Sequence, residues 1–271
     1  MFEISPYTFR MFSDCPQQYF FYNQKDLKNK YRKSRPYFVA GSIVHSTLKN
    51  FFSCYQPGER DQETLLGLFK TEWARNLLNF QKSGGDEQLY FQRMRDQLLL
   101  FAEKQDLRAE PALTEDYYEA FLDEETLLKG KIDRADKING KTIVIDYKTN
   151  KTIPENQDPL QLYAYAYILN EDAKLKLKLE GEFKVSQASY LYLSASDLYT
   201  FEVDEEILEK TRQMFLEKVK EIKKTENEYS RTGTEARVGK HCHFCDFVEI
   251  CPRKAEAAGF AKSTSEAEIS E

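Results

Sequence analysis

Long apolar runs are missing from this 271-residue chain, which removes the membrane-spanning class first. A spanning helix needs about 20 consecutive apolar residues, and no stretch approaches that length. The start, Met1-Phe2-Glu3-Ile4-Ser5-Pro6, has neither the basic nor the apolar segment of a secretory leader, so a cytoplasmic location is expected. An excess of positive charge is missing too. With 39 Lys and Arg against 45 Asp and Glu, the formal net charge is −6. That argues against a protein that coats nucleic acid by charge alone, since such binding rests on many cationic contacts to phosphate. There is no internal repeat, and histidines number only three. What remains, 41% hydrophobic and 31% charged, is ordinary for a globular protein, and the length suits one large domain or a core with a helical insertion.

The most informative segment is Gly130-Lys-Ile-Asp-Arg-Ala-Asp-Lys-Ile-Asn-Gly-Lys-Thr-Ile-Val-Ile-Asp-Tyr-Lys148. Asn139-Gly140 is a strong hairpin signal, because a type I′ turn needs positive φ at both central residues. With those two as the loop, Asp133 faces Asp146. Directly opposed side chains have Cβ atoms about 5 Å apart, where like charges repel unless something neutralises them. A divalent cation would. Alternation puts Lys148 on the face of Asp146 and turns Ile143, Ile145 and Tyr147 toward a core.

Elsewhere the pattern is helix-rich at first. Ser5-Pro6 opens a helix over Tyr7–Tyr22, with Phe9, Phe12, Tyr19 and Phe20 as core. Further helices are expected near 42–55, 61–80 and 86–106, the last two separated by Ser83-Gly84-Gly85 and read as a helical insertion, about 56–110, that could wall a substrate channel. Strands follow at 115–123, 126–137 and 141–148, then a helix near 158–171, a strand at Val185–Leu193 and a charged amphipathic helix at Glu205–Lys224. This order implies a mixed α/β sandwich. The tail from Ala255 to Glu271 is small, polar and acidic, and is expected to be disordered. Between Lys25 and Arg35, six basic residues face one acid, with Tyr31 and Tyr37 nearby, a candidate nucleic-acid contact.

Five cysteines in a cytoplasmic chain do not suggest structural disulfides, so Cys242-x-x-Cys245-x5-Cys251 reads as metal or cluster ligation. A fourth ligand is needed. Cys15 and Cys54 both qualify, and His241 and His243 keep a Cys3His zinc set open.

Gly130-Lys-Ile-Asp133-Arg134 followed by Ile145-Asp146-Tyr147-Lys148-Thr149 resembles the paired signature of the PD-(D/E)XK nuclease superfamily in its RecB-like branch. Gly41-Ser-Ile-Val-His45 resembles the branch's early histidine motif, and Gln161-Leu-Tyr-Ala-Tyr165 its Gln-hydrophobic-x-x-Tyr motif. The cysteine run, with Cys15 near the start, resembles the iron–sulfur staple of AddB-type and CRISPR-adaptation nucleases. Ile132 stands where the superfamily name has proline, as is common in this branch. The likeness covers about residues 4–253.

The resemblance implies a restriction-endonuclease-like core of mixed sheet flanked by helices, in one nuclease domain over 1–254 with its catalytic part at about 115–195 and a cluster region at 238–253. It implies a Mg2+ or Mn2+ site made by Asp133, Asp146, the Tyr147 carbonyl and His45, with Lys148 orienting water or countering charge on phosphate, and Gln161 and Tyr165 reaching the same site. His45 could instead contact substrate. Glu119 is a further candidate ligand; a two-residue loop at Glu124-Glu125 puts it opposite Gly130 on the wrong face, and a one-residue slip puts it opposite Lys131. The resemblance favours Cys15 over Cys54, which is left as a buried thiol, and a 4Fe-4S cluster over zinc, joining the chain ends. The implied activity is an exonuclease on single-stranded DNA ends in recombination, repair or CRISPR adaptation, with a helicase or adaptation protein as partner. Rival readings are a non-catalytic scaffold subunit and a zinc-stapled interaction module.

Overall fold

The computed structural model describes residues 1–138, 140–172, 174–175, 183–232 and 236–259. The chain divides into two compact units, Phe2–Lys33 with Gln213–Glu271, and Met1 with Ser34–Arg212.

The smaller unit contains β1 (Phe2–Ile4), α1 (Pro6–Asp14), α2 (Pro16–Asn23) and α3 (Lys25–Tyr31). Ser5 caps α1 by accepting from the Thr8 N–H at 3.2 Å, while Thr8 Oγ1 accepts from the Ser5 N–H at 2.9 Å. The single helix expected over Tyr7–Tyr22 is two. Pro16 disfavours helical backbone at the residue before it, and Cys15 is extended at φ −156°, so the chain turns there and α2 restarts with Pro16 in its first turn. Phe9, Phe12, Tyr19 and Phe20 are core, as expected. Phe9 packs on Phe215, and Phe20 stacks on Tyr229 at 4.8 Å. Residues 254–259 are helical with Ala257 buried, contrary to the expectation of disorder from Ala255. The rest of that tail, 260–271, lies outside the described residues.

The larger unit begins with α4 (Pro36–Cys54), α5 (Gln62–Lys82) and α6 (Glu87–Lys104). Then come β2 (Leu113–Phe121), β3 (Thr126–Ile138), β4 (Lys141–Lys148), α7 (Leu160–Glu171), β5 (Val185–Tyr192) and β6 (Asp197–Glu202). Its five strands lie in the order β2-β3-β4-β5-β6, antiparallel except where β5 runs parallel to β4 after the α7 crossover. This is the mixed sheet flanked by helices that was expected. The last helix, α8 (Glu205–Thr232), spans the boundary between the units and exceeds its expected length. Edge strand β6, which the sequence pattern did not announce, is short and only half-buried, through Tyr199 and Phe201.

Helices α4, α5 and α6 form the main core with one face of the sheet. Phe51, Phe69, Phe80, Met94, Leu98 and Phe101 join Ile145, Tyr147, Leu191 and Leu193 in one cluster. The segment expected to wall a channel therefore backs the core face of β4. Its Gln97 side chain reaches the Thr149 carbonyl at 3.2 Å, just past Lys148. Helix α4 starts before Gly41, not after it, because Arg35 is extended and Pro36 opens the helix. Gly41 serves a close approach instead: a Cβ there would sit 3.0 Å from Thr149 Oγ1. One turn later comes His45.

Candidate active site

The hairpin has the expected register, from Arg134↔Ile145 to Ile138↔Lys141. Gly140 has φ +77°, while Asn139, on which the turn type rests, lies outside the described residues. The β3–β4 ladder ends at Arg134↔Ile145, yet β4 continues beside β5 to Lys148. Asp133 and Asp146 occupy the next step, where the two strands part. The Tyr147 N–H donates to Asp133 Oδ2 at 2.9 Å, so a side chain satisfies an amide that a strand ladder would otherwise use. Asp133 Oδ1 lies 2.9 Å from His45 Nδ1.

The other side of β3 corrects the expectation for Glu119. The Leu122 N–H bonds the Thr126 carbonyl and Phe121 pairs with Leu127, which leaves a three-residue loop, Asp123 to Glu125. Glu119 consequently pairs with Lys129 and is half exposed, 3.8 Å from both Lys129 and Lys174, away from the carboxylate pair. The same slip sets Glu115 level with Asp133, since Thr114↔Arg134 and Asp116↔Ile132 flank them. Glu115 is buried, with Oε1 2.7 Å from Lys131 Nζ and Oε2 3.9 Å from His45 Nδ1. Sequence reasoning missed it because the loop length that selects it was ambiguous.

One donor atom each from His45, Glu115 and Asp133 lie within 4.8 Å of one another. On the far side of the fork, Asp146 belongs to a closed polar circuit. Lys148 Nζ is 2.7 Å from Asp146 Oδ2 and donates to Gln161 Oε1 at 3.0 Å. Gln161 Nε2 donates to Asp146 Oδ1 at 3.1 Å and to the Tyr165 hydroxyl at 2.8 Å. Gln161 and Tyr165 project from α7 four residues apart, on one helix face. Gly130 makes room for the ring, as a Cβ there would fall 2.8 Å from it.

These groups are electrostatically tuned by one another. Burial raises the Asp146 carboxyl and Asp133 adds repulsion, against the pull of Lys148 and His45. Burial works to lower the His45 imidazolium, but Asp133, Asp146 and Glu115 outweigh it, so the ring holds its proton more tightly than usual. Tyr165 is raised well above its ordinary value, by burial first and Asp146 next, and stays protonated. Two carboxylates and an imidazole close together, with the buried Asp146 carboxylate electrostatically coupled to Asp133 and His45 and paired with Lys148, form a donor set that suits a hard divalent cation. His45 would have to shed its proton to ligate it.

The smaller unit holds the second cluster. Cys15, Cys242, Cys245 and Cys251 line one pocket with Phe21 and Phe247. Cys15 is there because the break before Pro16 places it at the junction of α1 and α2. Cys54 is exposed on α4, not buried as expected. The Cys245 thiol is pushed up to about 12, chiefly by burial and further by the neighbouring sulfurs, and Cys242 is raised likewise. Four clustered sulfurs, two of which (Cys242 and Cys245) resist ionisation, fit a positively charged centre able to hold them as thiolates. His241 lines the same pocket, so the donor chemistry admits zinc as well as an iron–sulfur cluster.

Comparison with known proteins agrees with this geometry. A family model described as the PD-(D/E)XK nuclease superfamily matches residues 3–252. A crystal structure of a "putative exonuclease" from Eubacterium rectale superposes with a TM-score of 0.53 at 13% identity, over 90% of this chain and 86% of that one, a likeness of fold. SSO0001 is 16% identical over 79% of this chain and 96% of that one, with a TM-score of 0.36, too low to bear on the argument. No curated protein matches. Among the described residues no helix is long and apolar enough to cross a membrane. The extent of the family match, together with the forked hairpin, establishes that this chain belongs to the PD-(D/E)XK nuclease superfamily.

Proposed function

We propose that the protein is a metal-dependent exonuclease acting on single-stranded DNA ends, with a 4Fe-4S cluster ligated by Cys15, Cys242, Cys245 and Cys251 in its smaller unit. The observation that carries the nuclease reading is the fork itself: His45, Glu115 and Asp133 on one side, Asp146 with Lys148 and Gln161 on the other.

His45, Glu115, Asp133, Asp146 and the Tyr147 carbonyl are the groups that would hold Mg2+ or Mn2+. A cation so held supplies Lewis-acid polarisation of a phosphoryl oxygen and acidifies water. Lys148, the cation beside Asp146, counters charge developing on the phosphate. Gln161 fixes Lys148 and Asp146 relative to each other by bonding both. Tyr165, kept protonated, holds the Gln161 amide. A scaffold without hydrolysis has no need of this circuit. The cluster assignment and the pathway, recombination, repair or CRISPR adaptation beside a helicase or adaptation protein, rest on motif resemblance, and the cytoplasmic location on the character of the opening residues and the lack of long apolar runs. The basic stretch from Lys25 as a DNA contact rests on its charge and neighbouring tyrosines; within it Lys28 lies over Tyr22 at 3.8 Å and Lys33 pairs with Glu249.

End-labelled single-stranded DNA with Mn2+ or Mg2+ tests the reading. Asp146→Ala should abolish degradation while DNA is still bound, and Lys148→Ala should slow it severely. Undiminished degradation by Asp146→Ala rules the assignment out. A closed circular substrate separates exonuclease from endonuclease action, and acid-labile sulfide with a brown colour separates the iron–sulfur cluster from zinc.

A further inference from the structure

The strand that supplies Glu115 carries an unused aromatic on the same face. Side chains alternate along a strand, so Tyr117 follows Glu115 there at a step of about 7 Å, comparable to one nucleotide of an extended strand. Glu119 and Phe121 come next. Tyr117 is 76% exposed and Phe121 56%. Single exposed apolar residues are common and mean little. The surroundings of Tyr117 set it apart. Its cross-strand neighbour is Lys131, whose ammonium sits 2.7 Å from Glu115, and the next pair along is Glu119 with Lys129. Lys174 also approaches Glu119. An exposed ring, with Lys131 across the ladder and Lys129 one pair along, thus shares a strand face with the buried Glu115.

We propose that Tyr117 stacks on a base of the single-stranded DNA held at the active site, while Lys131 and Lys129 meet its phosphates. This rests on the nuclease reading and names the platform that reading lacks. A ring can stack on any base, whereas cationic contacts fix only the backbone, so the arrangement suits an enzyme that reads strand ends without regard to sequence. Tyr117 is a positioning residue for the strand; it touches neither Asp133 nor Asp146.

The test uses the full chain in Ca2+, with fluorescence anisotropy of a labelled oligonucleotide as readout. Tyr117→Ala should weaken binding by roughly 5- to 150-fold, the range expected for loss of one base–aromatic stack. Tyr117→Phe and Tyr117→Trp should restore it, and the melting temperature should not move. Scanning one abasic site from the strand end should find a position that weakens wild-type binding to the same extent. That lesion should cost Tyr117→Ala nothing further. A 2-aminopurine at that position should be quenched by the wild type and not by Tyr117→Ala. Equal affinity of wild type and Tyr117→Ala, or an abasic penalty identical in both, overturns the stacking role and leaves the nuclease reading standing. A wild-type chain that binds no single-stranded DNA brings down both.

Discussion

The buried pair on the reverse side of the fork makes the sharpest energetic prediction. Arg134 follows Asp133 and so points the other way, into the core beneath α4. Its guanidinium donates to both oxygens of Asp136, at 2.7 and 2.6 Å, and lies 4.2 Å from the Phe52 ring centre, with one N–H 3.5 Å from the Tyr147 hydroxyl. Both partners are under 9% exposed. Burial opposes the charge on Arg134, yet Tyr147 and Asp136 more than restore it, so the cation persists. Asp136→Ala leaves that cation buried with a ring and a phenol for company. Breaking one side of such a pair costs about 3–5 kcal/mol, which for a protein of this size lowers the melting temperature by roughly 6–20 °C. Removing both charges should be much milder, because desolvation of two ions offsets most of their attraction. Thermal and urea unfolding followed by far-UV circular dichroism would compare Asp136→Ala with Arg134→Met/Asp136→Leu. A loss below about 1 kcal/mol in the single variant, against the 3–5 expected for a broken buried pair, would refute the reasoning. So would a double variant that loses as much as the single one.

The remaining predictions address the site and its supports. Glu115→Gln should weaken Mn2+ binding by calorimetry roughly tenfold or more, as ligand losses do at least as much as changes in the groups behind them, whereas Glu119→Gln, four residues along the same strand, should leave it unaltered. Gly130→Ala pushes a methyl into the Tyr165 ring; destabilisation of about 1–3 kcal/mol should accompany a fall in cleavage rate, and unchanged unfolding would contradict the close packing. If the proposed cluster is present, Cys245→Ser should lower soluble yield and bleach its absorbance, and a stable, colourless, fully active variant would remove the structural role proposed for it.

Much of this protein was legible before its structure. The Asn139-Gly140 pair specifies a loop length, and a loop length specifies a register, so the level placement of Asp133 and Asp146 and the inward turn of Ile145 and Tyr147 followed from sequence alone. Local stereochemistry was readable where one residue type dominates it, as at Ser5-Pro6.

What tertiary structure decided was whatever depends on residues far apart in the chain. Glu115 became part of the site, and Glu119 left it, through a single extra loop residue whose effect only strand pairing reveals. His45 reaches Asp133 because Gly41 lets α4 approach Thr149, and Gln161 reaches Lys148 because α7 crosses over a glycine in β3. The helices at 62–104 show amphipathic patterns that name an apolar face without saying against what it packs. That they back the catalytic strand is a matter of shape and volume, properties of the assembled core that no local pattern encodes.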